Sequence, residues 1–175
     1  MTLLMMVLYF ISRETDASVS VAFFREETSR GRFSVYEVGG KYAHVAILVR
    51  GKWLHVYPGR DVEWVEHLNG MGKESVVLTN ESAEEPTEPE IVRQIPRRYD
   101  QSFNWDSNDR TYCAKLVGEL LHIAPLPMSF SSDDWSGMKN LPRGESGLSP
   151  DDIFTVLLQR GYRRTNRCAE WLKRE

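Results

Sequence analysis

Tyr42-Ala43-His44-Val45-Ala46-Ile47-Leu48-Val49-Arg50-Gly51-Lys52-Trp53-Leu54-His55-Val56-Tyr57 is the stretch on which the fold turns. On either side of Arg50-Gly51 the residues alternate as half-buried strands do, and Arg50-Gly51 itself suits a two-residue hairpin turn. With those two residues as the loop, Val49 faces Lys52, Ala46 faces His55 and His44 faces Tyr57. One face then carries Ala43, Val45, Ile47, Val49, Leu54 and Val56, which belong to a core. The other carries His44, Ala46, Leu48, Trp53, His55 and Tyr57. The two histidines become diagonal neighbours on that second face, roughly 7–8 Å apart at the backbone and within side-chain reach. A three-residue loop would turn His55 over, so the pairing register decides the outcome. Two imidazoles on one partly polar face, beside Trp53 and Tyr57, predict a site rather than a core.

Far downstream lies Thr111-Tyr112-Cys113-Ala114-Lys115-Leu116-Val117. Asn108 and Asp109 are good helix N-caps, and no Gly or Pro interrupts from Asp109 until Gly118. Pro125 enforces a stop. Tyr112, Leu116, Leu120 and Ile123 recur at helical spacing, with Cys113, Val117 and Leu121 on the adjoining stripe. Cys113 is therefore expected in the first turn or just after it, where the positive end of the helix dipole favours a thiolate. The competing expectation is a small buried hydrophobe, the usual state of a lone cysteine. A fold that joins the histidine strands to this helix would build a cysteine-histidine nucleophilic site.

The order of these motifs resembles the circularly permuted NlpC-type papain-like cysteine hydrolases, which include the bacterial YiiX-like proteins and are related to the lecithin:retinol acyltransferase group. The likeness rests on Tyr42-Ala43-His44-Val45-Ala46-Ile47, on His55 in the next strand, on Tyr99-Asp100-Gln101-Ser102-Phe103 and on Tyr112-Cys113, across roughly residues 40–160. YiiX-like members usually read Cys-Ser-Glu where this chain has Cys113-Ala114-Lys115. The resemblance implies Cys113 as nucleophile, His44 as the general base that takes its proton, and His55 as the group that orients His44. Asp61 or Glu63 is the fallback for that last role.

The chemistry agrees with those assignments. A free thiol is only a few per cent ionised at neutral pH, and an adjacent imidazole plus a helix N-terminus can ionise it. An orienting partner fixes the imidazole tautomer. The backbone amide of Cys113 could donate to an oxyanion. Tyr112, Tyr99, Tyr57 and Trp53 are candidate oxyanion or substrate contacts, and nothing in the sequence chooses among them.

The chain has 175 residues, 41% hydrophobic and 27% charged, which fits one globular domain with a proper core. A net charge of −3 gives no nucleic-acid footprint. Cys113 and Cys168 are the two cysteines, and nothing else suggests a disulfide scaffold. No spaced ligand cluster points to a structural zinc, although His44, His55 and Cys113 could bind one as a trio. No cofactor is expected.

Residues 1–11 are almost wholly apolar but too few to span a bilayer. With no Lys or Arg ahead of them, they predict a packed strand or short helix and a cytoplasmic protein. A cleaved signal peptide, hence export, is the alternative. Strands are expected at Val19–Phe24, Arg32–Val38, Asp61–Val65 and Ser75–Thr79, with a charged turn at Glu26–Gly31. His67 reads as a solvated loop residue, Asn80–Pro89 as an exposed acidic loop and Glu90–Ile95 as a helical turn. His122 lies about 13 Å along the helix from Cys113, too far to serve it, and reads as a capping or core residue. Pro125–Ser149 is a long irregular loop that Phe130, Trp135 and Met138 would anchor over the site. Ser149-Pro150-Asp151-Asp152 is a strong helix start, and Gly161 a stop. Arg160, Arg163, Arg164 and Arg167 form a basic patch, and Ala169–Lys173 a final helical turn with Trp171 docked.

Together these features predict an α+β, papain-like domain with an antiparallel sheet packed against the Cys113 helix. The expected activity is hydrolysis of a peptide-type amide, including cell-wall peptides, through a thioester. The alternatives are a lipid-directed acyl hydrolase or acyltransferase at a membrane surface, and a catalytically silent binding module. The expected partner is a peptide or acyl-containing substrate.

Overall fold

Arg50 and Gly51 both adopt left-handed backbone, with φ of 52° and 76°, so the central hairpin closes on a two-residue loop. In chain order the strands are β1 (Val19–Glu27), β2 (Phe33–Ser34), β3 (His44–Val49), β4 (Lys52–His55), β5 (Glu63–Val65), β6 (Glu74–Asn80), β7 (Arg98–Tyr99), β8 (Arg110–Thr111), β9 (Leu126–Pro127), β10 (Ser146–Gly147) and β11 (Arg163–Arg164). The helices are α1 (Glu88–Gln94), α2 (Cys113–Leu120) and α3 (Pro150–Gln159). The structure is a computed structural model that describes residues 18–27, 33–34, 36–72, 74–130 and 145–165. The apolar run 1–11, most of the turn at 26–31, Trp135, Met138, Arg167, Cys168 and the turn at 169–173 lie outside the described residues.

The chain is α+β. One antiparallel sheet runs in the order β11-β6-β1-β3-β4-β5, with β2 adding to the end of β1. Ile47 pairs with Leu54 and Val49 with Lys52, the register the hairpin sequence predicts. Each face of the sheet meets a different core. Val21, Phe23, Val45, Ile47 and Leu54 pack against Leu116, Val117 and Leu120 of α2 and against Ile153 and Leu157 of α3. Ala22, Phe24, Ala46, Trp53 and Val77 face the other way, under Leu68 and Met71. Each Leu or Ile sealed in this manner stabilises the fold by about 1.5–3 kcal/mol relative to exposure.

α2 starts at Cys113, later than the caps Asn108 and Asp109 suggest, and Tyr112 is its N-cap. Two things hold the preceding residues out of the helix. Arg110 and Thr111 pair in parallel with Arg98 and Tyr99. The Lys115 ammonium, fully buried, donates to the carbonyls of Asn104 (3.3 Å), Ser107 and Arg110 (3.4 Å). The helix also ends earlier than the apolar spacing suggests, because Ile123 N–H reaches back to the Gly118 carbonyl and His122 turns to φ 51°. His122 caps α2 through its backbone rather than its ring: its N–H donates to the Glu119 carbonyl at 3.3 Å, while the exposed ring lies 3.1 Å from Glu90.

Other boundaries shift for local reasons. α1 begins before Glu90 because Thr87 caps it, its N–H donating to Glu90 Oε2 at 2.7 Å. Among the described residues of 32–38 only Phe33–Ser34 is strand, and Glu37 makes a bridge to Phe130. β4 stops at His55 and β5 starts at Glu63, both shorter than expected. β9 and β10 pair within what the sequence presents as one irregular loop. The basic residues Arg163 and Arg164 form the edge strand β11. Ser149 does cap α3: its Oγ accepts from Asp152 N–H, and Pro150 follows in the first turn. Among the described residues no helix is long and apolar enough to cross a membrane.

Candidate active site around Cys113

In a two-residue hairpin the pair next to the loop is hydrogen-bonded, so Val49, Ile47 and Val45 all aim their N–H groups at β4. The β3–β4 ladder ends at Ile47 and Leu54. Val45 N–H therefore lies beyond the last pair of that ladder, and its amide is among the groups that favour a charged Cys113 sulfur. The first residue of α2 thus stands near the open end of the β3–β4 ladder.

A hydroxyl arrives from far upstream. Tyr36 Oη lies 3.6 Å from Cys113 Sγ. The Tyr36 ring stands edge-on to Phe103, with centroids 5.0 Å apart, and its hydroxyl also meets that of Tyr99. Asp100 fixes the turn that carries Phe103: its carboxylate accepts from Ser102 N–H (2.9 Å), Ser102 Oγ (2.6 Å) and Asn104 N–H (3.1 Å). Sγ, Tyr36 and Tyr99 form a polar thread through an otherwise aromatic wall.

The thiol is 1% exposed. Burial pushes its pKa up; the Tyr36 hydroxyl and the amides of Val45, Ala114 and Cys113 itself pull the other way without reversing it. The resting group is a neutral thiol with donors already aimed at the charge a thiolate would carry.

His44 and His55 come together as the register requires, ring centroids 5.5 Å apart and nearly perpendicular. Tyr57 lies edge-on to His44 at 5.3 Å, and Phe24 approaches at 5.9 Å. The pair sits on the sheet face shared with Phe24, Ala46 and Trp53, whereas α2 packs on the opposite face. His44 is linked to Cys113 through the backbone, since the next residue is Val45, whose amide favours a charged Sγ. Burial, then the neighbouring His55, drive the His44 pKa down to about 3. His44 Nε2 has no hydrogen-bond partner. Burial also lowers His55, against the pull of Glu63. His55 Nε2 lies 3.3 Å from Glu63 Oε1, in contact but not aligned for a hydrogen bond. Glu63, the fallback orienting group, is thus at the second histidine, whereas Asp61 is exposed.

The remaining candidates divide. Tyr99 borders the thread to Cys113, and burial raises its phenol pKa. Tyr57 donates to Glu26 Oε1 at 3.2 Å. The Tyr112 hydroxyl accepts from Leu148 N–H at 3.1 Å and contacts Met128 Sδ at 3.9 Å, tying α2 to the strand before α3. Trp53 is fully buried in the second core, on the face away from α2. Tyr36, Lys115 and Asp151 escape motif reading. Asp151 accepts from Lys41 N–H (2.9 Å) and Tyr42 N–H (3.2 Å), holding the residues just before His44.

Among the described residues no group of three His, Cys, Asp or Glu side chains is placed to hold a metal ion. No family model, curated protein or solved structure matches this chain.

Proposed function

We propose that this chain is a cysteine hydrolase of the permuted papain-like type, cleaving a peptide-type amide through a thioester on Cys113. One observation carries the reading: a sulfur on the first residue of a helix, with Tyr36 Oη 3.6 Å away and the Val45 amide among the groups that favour its charged form. Such groups would stabilise a thiolate.

In this reading the imidazole of His44 takes the Sγ proton, which requires the ring to turn from its own sheet face toward the sulfur past the open end of the β3–β4 ladder. The thiolate adds to the substrate carbonyl, and the oxyanion takes a hydrogen bond from the Cys113 amide. Collapse expels the amine, which carries away the proton held by His44, and leaves a thioester. Water, deprotonated by the same histidine, then releases the acid and restores the thiol. His55 and Glu63 orient His44 through the ring contact.

A silent binding module of the same architecture is the second reading. It is favoured by the burial of Cys113 and His55 and by the neutrality of thiol and imidazole at rest. A thiol-reactive electrophile with peptide-resolved mass spectrometry separates the two. Selective labelling of Cys113 over Cys168, lost in His44→Ala, supports the hydrolase. Equal, slow labelling of both cysteines, indifferent to His44→Ala, supports the silent module.

A further inference from the structure

Arg98 and Arg110 are register partners in the parallel pair of β7 and β8, so two exposed guanidinium side chains stand side by side. Like charges directly across a ladder destabilise it. Neither residue has an ion-pair partner among the described residues. Nearby, Arg60 is tied to Glu63 at 3.1 Å, and the Asp100 carboxylate is taken up by Ser102 and Asn104. Among the described residues that line the rim, Asp61 is the exposed acid.

These arginines line a cleft of about 580 Å³ whose wall includes Tyr99 and Ser102. Tyr99 is the outer end of the thread that runs through Tyr36 to the sulfur of Cys113. The cleft therefore opens onto the far side of the groups that surround the thiol. Paired guanidiniums bind planar or tetrahedral oxyanions through forked hydrogen bonds.

The geometry points to this cleft as an anion subsite: the substrate of Cys113 carries a carboxylate or phosphate group that docks on Arg98 and Arg110. The assignment rests on the reading of Cys113 as a nucleophile. It also explains why a chain of net negative charge keeps two unpaired arginines together.

Two measurements on the full chain test it. In the first, backbone amide NMR follows titration with succinate and with inorganic phosphate. Shifts confined to residues 98–102 and 110, lost in the Arg98→Gln/Arg110→Gln double variant, are expected. The anion that binds more tightly identifies the source as carboxylate or phosphate. No saturable shift with either anion overturns the subsite. In the second, Cys113 is alkylated with iodoacetate and with iodoacetamide. The iodoacetate-to-iodoacetamide rate ratio is expected to exceed that of free cysteine by roughly tenfold at low salt. It should collapse in the double variant while the iodoacetamide rate stands. A ratio equal to that of free cysteine and indifferent to the arginines overturns the link between cleft and thiol. Inertness of Cys113 to both reagents sinks the nucleophile itself, and the anion titration then still decides the cleft.

Discussion

Tyr36 and Cys113 meet hydroxyl to sulfur at 3.6 Å, although 77 positions separate them in the chain. The hydroxyl is one of the few groups that oppose burial at the thiol. Tyr36→Phe removes it and is expected to move the Cys113 pKa further up. The pH profile of iodoacetamide alkylation would show a later midpoint. The rate at neutral pH would fall by up to about tenfold if that midpoint rose by one pH unit. An unchanged midpoint would show that the hydroxyl does not act on the sulfur.

Stability should depend on acid through His44. Its folded pKa of about 3 lies below the ordinary 6.5, so the unfolded chain binds the proton more readily. The contribution is complete above about pH 6.5 and is lost as pH falls toward 3, with a slope approaching 1.4 kcal/mol per pH unit. His55, also lowered by burial, acts in the same direction. Urea unfolding between pH 7 and 4 is expected to flatten in His44→Gln; identical slopes in the two proteins would refute the assignment.

Lys115→Met keeps the length of a buried side chain but strips the donor from three backbone carbonyls. The loss is expected to be on the order of 3 kcal/mol, because carbonyls are left unmet away from water. For a chain of this size that is roughly 6–12 °C in Tm by calorimetry. A Tm within a degree of the parent would mean that the ammonium does not organise residues 104–110.

Gly40→Ala tests the contact that leads into the histidine strand. A Cβ there would stand 2.7 Å from Asp151 Oδ2 and 3.1 Å from the Glu37 carbonyl. The carboxylate would have to leave the amides of Lys41 and Tyr42, at an expected cost of about 1–3 kcal/mol in chemical denaturation. Asp151→Ala should lose a similar amount, and the double variant less than the sum, because both changes break one contact.

The hairpin was legible because its information is local. Alternation fixed the two faces, and the Arg50-Gly51 turn fixed the register. The place of Cys113 at a helix start was legible for the same reason, though not the residue at which the helix begins. What displaced that start is the Lys115 ammonium, whose partners are backbone carbonyls and leave no mark in side-chain patterns. Tyr36 was invisible since nothing near it in sequence marks the sulfur it meets. The side on which α2 packs was equally hidden. Both hairpin faces are apolar enough to be covered, and only the tertiary arrangement selects the valine face over the histidine face.

The end of the chain closes what its middle begins. β11 covers the outer edge of β6, and Asp151 pins the backbone just ahead of His44. During synthesis on the ribosome the histidine hairpin therefore emerges well before its anchor exists. The nascent sheet waits with one border bare until the C-terminal helix and strand arrive, so a premature stop before residue 150 removes the clamp on the histidines together with the helix that supplies it.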